Sequence, residues 1–519
     1  MLQVQSFRDL LREAGDRFGS QPFLIDDPLL RSPSYEKLAC FANGVERELD
    51  SLRIPPGATV ATLFHNCGLA ASLFLAVIAS RRILVPLNPL SSTAELDYIL
   101  NRAACQAVLF DPTHARSTEF GERKRVPIQH HEEYFGRLVA AGQGASTPSA
   151  SAAEPAFAGE IVFTSGSTGQ PKGVVLSERN LLVDAASLAQ VYDLRSTDRF
   201  LSVCPLFHNS GQVLTTLACA LVGGSTAAVK SDVGMLNFWS YVDRYQPQWS
   251  LGMTSFLALL LASPGSPKQA QAMRGLLTGG SAIDGALVQA FESRFRIPVR
   301  TIYGLTETAS ISTCEWLDPR PRSLGSSGRP LPICEIRIDC EASADAPTNG
   351  SRTLQAGEIL IKGEHVFDRY VGDPELTRRR KVDGWVRTGD IGYFDEHGNL
   401  FVIDRMDSML IVGGENVYPA EVEKLCGHLP GAAQIVVSGI EHPIWGHQLI
   451  LTYKPASGTK PSLEEWHRIL SEHLSAAKIP QRYLSLEDLG LADFPRLQNG
   501  KLDRHALRIL VREHLEPSR

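Results

Sequence analysis

The 519-residue sequence has no apolar run of the roughly 18 residues that a membrane-spanning helix needs. We therefore expect no membrane span, and no secretory signal, because no long apolar run follows a basic start. The nine cysteines are scattered and form no Cys-x-x-Cys pair, which argues against a disulfide or zinc framework. Reduced thiols in a cytoplasmic protein are the expectation. A formal net charge of −6 gives no electrostatic basis for binding nucleic acid.

The rest of the composition is that of an ordinary globular protein, with 43% hydrophobic and 21% charged residues. The chain is too long for one hydrophobic core and predicts about two to four domains. Strand and helix patterns alternate through its first 110 residues, which predicts a parallel α/β sheet. The predicted strands span residues 58–64, 83–86 and 107–110. The predicted helices span 6–18, with Ser6 as its N-cap, 69–79, and a stretch beginning at a capping-box pattern of Ser92 and Glu95.

The segment IVFTSGSTGQPKG, from Ile161 to Gly173, is the most informative stretch. Its first three residues predict a short buried strand, and a run rich in hydroxyls and glycine follows with one lysine. Backbone N–H groups, hydroxyls and an ammonium can together cradle phosphate. The pattern is not a Walker A loop, which needs Gly-Lys-Ser/Thr. The candidate phosphate-binding residues are Thr164, Ser165, Gly166, Ser167, Thr168, Gly169 and Lys172.

This loop resembles the signature of the adenylate-forming superfamily, which contains acyl- and aryl-CoA ligases, luciferases and the adenylation domains of peptide synthetases. Further motifs follow in family order, so that the resemblance covers roughly residues 5–505. It implies an activity in two halves, in which ATP and a carboxylic acid give an acyl-adenylate, and a thiol then takes the acyl group. It also implies ATP, Mg²⁺ and coenzyme A as the cofactors and co-substrates.

The segment 205–211, Pro-Leu-Phe-His-Asn-Ser-Gly, is similar to a family segment whose histidine lies at the carboxylate end of the acid pocket. The resemblance assigns that place to His208. Family members that use α-amino acids normally carry an aspartate here, which pairs with the ammonium group. No acidic residue stands near His208 in the sequence, and a buried ammonium without a counter-charge is costly. We therefore expect a substrate without an α-amino group.

The segment Tyr303-Gly304-Leu-Thr306-Glu307 resembles the family motif Tyr-Gly-x-Thr-Glu. Tyr303 offers a π-face to adenine, and the Thr306 hydroxyl can donate to the α-phosphate. Glu307 offers the hard oxygen that Mg²⁺ prefers. The Gly-rich turn at Gly280 and Ser281 is expected, by resemblance, to lie against adenine and the acid.

From residue 327 short strands follow one another closely, which predicts a β-rich, barrel-like subdomain over about 327–404. Near its end, Thr-Gly-Asp390 resembles the family motif whose aspartate accepts hydrogen bonds from the ribose hydroxyls. Arg405 matches an arginine near ribose and phosphate.

The resemblance predicts two domains: an adenylation core, 1–404, and a small mobile α+β lid, 405–519, with Asp407 as hinge. Gly413 and Gly414 match residues that let a pantetheine chain pass close to the backbone. Lys501 follows an Asn-Gly turn and matches the lysine that reaches the forming acyl-phosphate bond. The expected catalytic residues are therefore Lys501, Thr306, Glu307 and His208.

The first hypothesis is a ligase that joins a fatty or aromatic acid to coenzyme A. A second enzyme hypothesis is a ligase that loads a separate acyl carrier protein, because the ending Asn-Gly-Lys-Leu-Asp-Arg also resembles carrier-loading domains. A luciferase-like oxygenase would adenylate its acid too. A non-catalytic nucleotide-binding protein on this fold is the hypothesis from a different class. The acid, the oligomeric state and the pathway stay open.

Overall fold

The structure is a computed structural model, and it describes the chain except for residues 26–29, 31, 114–119, 122, 145–156, 165–170, 231–235, 264, 268–271, 281–282, 318–320, 341–355, 409, 413–414, 428, 443–445, 475–477, 497–501 and 516–519. Among the described residues, no helix combines the length and the apolar character that crossing a bilayer requires.

The α-helices follow the predicted starts closely where a capping residue marks them. The Ser6 side chain accepts a hydrogen bond from the Asp9 N–H, and the Ser92 side chain accepts one from the Glu95 N–H. Both predicted caps are therefore confirmed. The helices are Phe7–Phe18, Tyr35–Ser51, Gly68–Ala79, Thr93–Arg102, His131–Gly142, Glu178–Val191, Asn209–Gln212, Ala218–Val222, Phe238–Tyr245, Thr254–Ala262, Gly285–Phe295, Pro374–Arg380, Pro419–Cys426, Leu463–His473 and Arg504–Leu515.

The first sheet contains the three strands predicted near the start of the chain, and these strands pair in parallel as expected. Strand β5 (Ala158–Thr164), which leads into the signature loop, also pairs in parallel with β2 (Ile83–Leu87), whereas β6 (Lys172–Ser177) pairs antiparallel with β5. In spatial order, the strands are β16 (Arg369–Tyr370), β6 (Lys172–Ser177), β5 (Ala158–Thr164), β2 (Ile83–Leu87), β1 (Thr59–Leu63), β3 (Ala107–Phe110) and β4 (Lys124–Pro127).

The second sheet is parallel through its middle and ends in two short antiparallel strands. Its apolar face packs against helices Phe238–Tyr245, Thr254–Ala262 and Gly285–Phe295, which bury one contiguous core. In spatial order, the strands are β13 (Arg329–Pro330), β12 (Thr313–Cys314), β11 (Val299–Tyr303), β10 (Gly275–Gly279), β9 (Trp249–Met253), β7 (Arg199–Ser202) and β8 (Ser225–Ala228).

The β-rich segment predicted after residue 327 is confirmed as a third sheet, and its barrel-like closure stays a prediction. Its strands are β14 (Cys334–Asp339), β15 (Gly357–Gly363), β18 (Trp385–Phe394) and β17 (Lys381–Val382), with β19 (Leu400–Arg405) paired to β18. The fourth sheet contains β21 (Glu415–Val417), β20 (Leu410–Val412), β23 (Gly446–Pro455) and β22 (Ala432–His442), with β24 (Arg482–Ser485) paired to β23.

The described chain divides into two compact units. Unit 1 contains Met1–Ile336, Leu360–Arg387 and Glu396–Leu400, and unit 2 contains Arg337–Ile359, Thr388–Asp395 and Phe401–Arg519. The predicted fold class, a mixed α/β chain with parallel sheets, is confirmed. The domain boundary at 404/405 stays a prediction.

Candidate active site

The loop predicted to hold phosphate is the connection of a β-hairpin. Strand β5 ends at Thr164, strand β6 begins at Lys172, and these two half-buried residues lie opposite each other in the antiparallel pair. The structure therefore describes both ends of the loop, and its binding of phosphate stays a prediction. Outside the described residues lie Ser165, Gly166, Ser167, Thr168 and Gly169.

The loop that carries His208, residues 203–208 between strand β7 and the next helix, is called the His208 loop. It is held by a side chain from beyond the end of strand β1. Asn66 Nδ2 donates to the Cys204 carbonyl oxygen at 2.5 Å, and the Leu206 N–H donates to Asn66 Oδ1 at 2.7 Å. His208 is half-buried and stands at the N-terminus of helix Asn209–Gln212. Asn66 thus fixes the backbone just before His208, a role that no motif in the sequence indicated.

Tyr303 is the last residue of strand β11, and the chain closes tightly after it. A β-carbon on Gly304 would lie 2.2 Å from the Ser310 carbonyl oxygen, so a side chain here would displace the backbone. The 3-10 turn Thr306–Thr308 follows. The Thr308 hydroxyl accepts a hydrogen bond from the Leu305 N–H and donates one to the Leu305 carbonyl oxygen, at 3.1 Å each. The motif therefore forms a self-bonded turn at the end of a strand.

Glu307 is oriented by two groups from a distant part of unit 1. Its Oε1 accepts a hydrogen bond from the Tyr370 hydroxyl at 2.6 Å, and its carbonyl oxygen accepts one from the Phe367 N–H at 2.8 Å. Burial first, and then the neighbouring Glu307 carboxylate, raise the pKa of Tyr370 well above its ordinary value. The phenol therefore stays neutral and keeps its proton available for Glu307.

The His208 loop and the Thr306–Thr308 turn are joined directly. Asn209, the residue after His208, donates from Nδ2 to the Ala309 carbonyl oxygen, and Thr306 O lies 3.5 Å from the same nitrogen. Asn209 is buried. Asn209 therefore links the loop that carries His208, the predicted acid-binding residue, to the turn that carries Thr306 and Glu307, the predicted phosphate and metal residues.

These features share one edge of the second sheet. Because β7, β9, β10 and β11 run parallel, their carboxyl ends lie together. The His208 loop follows β7, Gly280 follows β10, and Tyr303 ends β11. Gly280 is exposed, and Ser281 lies outside the described residues. In open parallel sheets, ligands bind outside the carboxyl ends of the strands, so this edge of unit 1 is the candidate active site.

Asp390 and Arg405 lie together in unit 2, with Arg405 Nη1 3.3 Å from Asp390 Oδ1. Asp390 is 5% exposed. Its N–H donates to Thr388 Oγ1 at 3.0 Å, and the Gly389 N–H donates to Glu358 Oε1 at 3.0 Å. Asp390 is therefore held on strand β18 with the Arg405 guanidinium beside its carboxylate.

The end of strand β19 is tied to helix Pro419–Cys426, whose first residue, a proline, suits the start of a helix. Asp404 Oδ2 accepts from the Ala420 N–H at 2.9 Å, and Asp404 Oδ1 accepts from the Arg405 N–H at 2.7 Å. The predicted hinge, Asp407, lies in the 3-10 turn Met406–Ser408. Its role as a hinge stays a prediction.

Three predicted residues of unit 2 lie outside the described residues: Gly413, Gly414 and Lys501. Arg496 and Leu502, on either side of the Asn-Gly-Lys stretch, form an antiparallel bridge. The Asp503 N–H donates to the Pro495 carbonyl oxygen at 2.8 Å. The two ends of the predicted lysine loop are therefore close together.

Glu307 suits the predicted Mg²⁺ ion as a single carboxylate ligand. Within the described part of the chain, no three His, Cys, Asp or Glu side chains form a cluster that could hold a metal. Mg²⁺ in nucleotide sites usually takes one or two carboxylates together with substrate phosphates and water, so a full cage of protein ligands is not needed. The half-buried, oriented carboxylate of Glu307 fits that arrangement.

Comparison with known proteins agrees with this geometry. The family described as AMP-binding enzyme matches residues 11–371. A sulfoacetate–CoA ligase of Cupriavidus necator is 29% identical over 502 residues, covering 94% of this chain and 95% of that protein. A long-chain-fatty-acid–CoA ligase of Thermus thermophilus is 31% identical over 529 residues, covering 96% of this chain and 94% of that one.

A solved structure of o-succinylbenzoate CoA synthetase from Bacillus subtilis, in complex with its acyl-adenylate intermediate, superposes with a TM-score of 0.81. It is 26% identical, and the match covers 98% of this chain and 99% of that one. The resemblance to adenylate-forming enzymes is therefore confirmed. The chain belongs to the AMP-binding enzyme family, in which it is an acid–thiol ligase of the AMP-forming type.

Proposed function

We propose that this enzyme joins a fatty or aromatic carboxylic acid to coenzyme A, with ATP converted to AMP and pyrophosphate. The observation that carries the proposal is the direct junction of the His208 loop with the Thr306–Thr308 turn through Asn209. An acid held at His208 and a triphosphate held at Thr306 would meet at this junction. Two relatives that are 29% and 31% identical to this chain are CoA ligases for sulfoacetate and for long-chain fatty acids. Their shared thiol supports coenzyme A as the acceptor, and their different acids leave the substrate open.

In the first half-reaction, a carboxylate oxygen of the acid attacks the α-phosphorus of ATP, and the bond to the bridging oxygen of pyrophosphate breaks. The proposed roles in unit 1 are adenine stacking by Tyr303, contact with the α-phosphate by the Thr306 hydroxyl, and orientation of the acid by His208. Gly304 leaves the backbone room for this turn. Glu307 would hold Mg²⁺, which neutralises phosphate charge when bound. Thr164, Lys172 and the hairpin loop between them would bind the outgoing phosphates.

In unit 2, Asp390 is proposed to accept hydrogen bonds from the ribose hydroxyls, and Arg405 to neutralise charge near ribose and phosphate. Lys501 is proposed to stabilise charge at the forming acyl-phosphate bond. In the second half-reaction, the thiol sulfur attacks the acyl carbonyl carbon, and AMP leaves with its oxygen. Gly413 and Gly414 would allow the pantetheine chain to pass. Rotation of the 405–519 domain about Asp407 would separate the two halves in time.

The absence of an α-amino group from the substrate is part of the proposal. Beside Gln212, one turn beyond His208, the structure does hold a carboxyl group, that of Glu160. Glu160 is fully buried, and burial raises its pKa to about 8, an effect that the Gln212 side chain partly offsets. A carboxyl group that is mostly protonated near neutral pH is a poor partner for an ammonium ion.

The test is acid-dependent exchange of labelled pyrophosphate into ATP over a panel of fatty, aryl and α-amino acids. The proposal expects exchange with a fatty or aryl acid and none with α-amino acids. Exchange only with α-amino acids would overturn the substrate class. ATP binding with no exchange for any acid would favour the non-catalytic nucleotide-binding protein. Oxygen-dependent light or product would favour the luciferase-like alternative.

Acceptor thiols are compared next, with the acid that gives exchange. Thioester formation on free coenzyme A supports the proposal, and acylation of a carrier protein without consumption of coenzyme A would overturn it. A cytoplasmic location belongs to the same proposal. All nine cysteines lie among the described residues and form no disulfide there, which agrees with a reducing compartment.

A further inference from the structure

The backbone just behind Glu307 is strained. Ala309 has φ +56° and ψ −62°, and the Ser310 N–H donates to the Thr308 carbonyl oxygen at 2.6 Å across it. This is the rarer form of γ-turn, in which the central residue has a positive φ. Residues with a β-carbon seldom adopt it, and it persists only where the surroundings over-determine it.

Two buried polar side chains hydrogen-bond to the backbone of this turn. Asp184, in helix Glu178–Val191, accepts the Ile311 N–H on Oδ2 at 3.2 Å. Asn209 donates to the Ala309 carbonyl oxygen. Asp184 is fully buried and Asn209 is 6% exposed. One side chain therefore holds a backbone donor after the strained residue, and the other holds the carbonyl group of the strained residue itself.

Asp184 is a costly group to bury for stability alone. Its Oδ2 accepts the Ile311 N–H at 3.2 Å, the Ser310 N–H also faces the carboxyl group, and Oδ1 has no hydrogen-bond partner within the described residues. Burial raises the pKa of Asp184 well above the ordinary range, and these two N–H groups only partly offset the rise. A neutral core residue would avoid this desolvation cost. Both N–H groups that favour its ionised form belong to the segment that follows Glu307.

We propose that Asp184 is a positioning residue, which keeps Ala309 in its strained turn and thereby aims the Glu307 carboxylate and the Thr306 hydroxyl at the nucleotide. This inference rests on the proposed function, because it takes Glu307 and Thr306 as the groups that bind Mg²⁺·ATP. The physical step is short: Ala309 is two residues from Glu307, and a backbone that relaxes at Ala309 rotates the preceding turn.

Four variants test the proposal: Asp184→Ala, Asp184→Asn, the double variant Asp184→Ala with Ala309→Gly, and Glu307→Gln as the reference. The first readout is the dissociation constant of Mg²⁺·ATP, measured by titration calorimetry without acid. The second is the Mg²⁺ concentration that gives half-maximal pyrophosphate release. The third is thioester formation from supplied acyl-adenylate, which does not need the metal residue.

Asp184→Ala is expected to weaken Mg²⁺·ATP binding and raise the half-saturating Mg²⁺ concentration by roughly tenfold, as loss of an outer partner does in metal sites. Asp184→Asn keeps an oxygen acceptor and is expected to stay near wild type. Adding Ala309→Gly to Asp184→Ala is expected to recover most of the affinity for Mg²⁺·ATP, because glycine adopts a positive φ without steric strain and does not need the hydrogen bond to Asp184. Thioester formation from acyl-adenylate is expected to fall less than pyrophosphate release, because acyl-adenylate keeps the α-phosphate that Thr306 contacts but does not need the Mg²⁺ held by Glu307.

The matched control is Asp198→Ala. Asp198 is likewise buried and accepts a backbone N–H, from Arg195 at 2.9 Å, but it lies just before strand β7, at the opposite edge of the sheet. The Asp198→Ala change is expected to lower the thermal midpoint and to leave the dissociation constant of Mg²⁺·ATP unchanged. If Asp184→Ala behaves like this control, with an unchanged constant, the proposal is overturned.

Two further outcomes are also decisive. Should Asp184→Ala not fold, Asp184→Asn and the double variant are compared with wild type, and a tenfold weaker constant in the double variant overturns the proposal. If Glu307→Gln itself leaves Mg²⁺·ATP binding unchanged, the proposed function has misassigned the metal residue. If Glu307→Gln weakens binding and Asp184→Ala does not, only the inference about Asp184 fails.

Discussion

Replacement of Glu160 by glutamine is expected to stabilise unit 1 by an amount that grows with pH. Glu160 is fully buried on strand β5, and burial raises its pKa from 4.5 to about 8. In the unfolded chain the carboxyl group ionises above its ordinary pKa, whereas in the folded chain it holds its proton up to about pH 8. The folded state therefore binds more protons over this range, and stability falls as pH rises.

The size of the effect follows from the shift in pKa. Each pH unit between 4.5 and 8 removes about 1.4 kcal/mol from the free energy of unfolding, which gives roughly 5 kcal/mol across the whole window as an upper estimate. Glutamine has the same shape and no ionisation. Apart from a constant offset, the gain in Glu160→Gln is expected to be near zero at pH 4.5, roughly 3 kcal/mol at pH 7, and level above pH 8.

The assay is the thermal midpoint of wild type and variant from pH 5 to 8.5. Between pH 5 and pH 7 the free energy of unfolding of wild type falls by about 3 kcal/mol relative to the variant. At about 2 °C per kcal/mol for a large domain, the difference between the two thermal midpoints is expected to widen by about 5 °C. Glu396→Gln is the control, because Glu396 is exposed and its replacement should give a difference that does not grow with pH. A Glu160→Gln difference that is constant with pH, or that shrinks, would refute the account of a buried, protonated Glu160.

Three further predictions concern the candidate site. Tyr370→Phe removes the hydrogen bond to Glu307 and is expected to raise the half-saturating Mg²⁺ concentration for pyrophosphate release by about tenfold, while an unchanged value would contradict the orienting role. Asp390→Asn is expected to raise the KM for ATP about tenfold and to leave the KM for the acid unchanged, in steady-state assays that vary each substrate in turn. Lys501→Ala is expected to reduce adenylation by at least about a hundredfold and to spare thioester formation from supplied acyl-adenylate, and an equal loss of both rates would contradict the division of labour.

Features that depend on local chemistry could be predicted from the sequence. The caps at Ser6 and Ser92 act within one helical turn, and both are confirmed. The strand before the signature loop was predicted at 161–163 and spans Ala158–Thr164. Here the local apolar pattern found the element and missed its full extent, because Glu160, a residue type that is usually charged and exposed, interrupts the pattern of a buried strand.

Features that depend on distant contacts could not be predicted in this way. No helix is predicted from the sequence at Tyr35–Ser51, which has a glycine, Gly44, in its interior. The structure supplies the reason for that glycine: a β-carbon on it would lie 2.1 Å from the Leu138 carbonyl oxygen, in the neighbouring helix. Glycine lowers local helix propensity, and the packing that requires it is invisible in the surrounding residues.

The residues of the candidate site also differ in whether local sequence or distant contacts determine them. Residues within motifs, such as His208 and Glu307, could be named from the sequence. The side chains that fix them could not: Tyr370 lies 63 residues from Glu307, and Asn66 lies 140 residues from Leu206. Asparagine and tyrosine are common in loops and strands, so nothing local distinguishes the two that support the site.

The most direct test of the proposed reaction is a product balance with the acid that supports pyrophosphate exchange. ATP, acid and coenzyme A are incubated with the enzyme, and nucleotides and thioester are separated and quantified. The account predicts AMP, pyrophosphate and acyl-CoA in equal amounts, with acyl-AMP accumulating on the enzyme when coenzyme A is left out. ADP in place of AMP, or AMP without any thioester when coenzyme A is present, would contradict it.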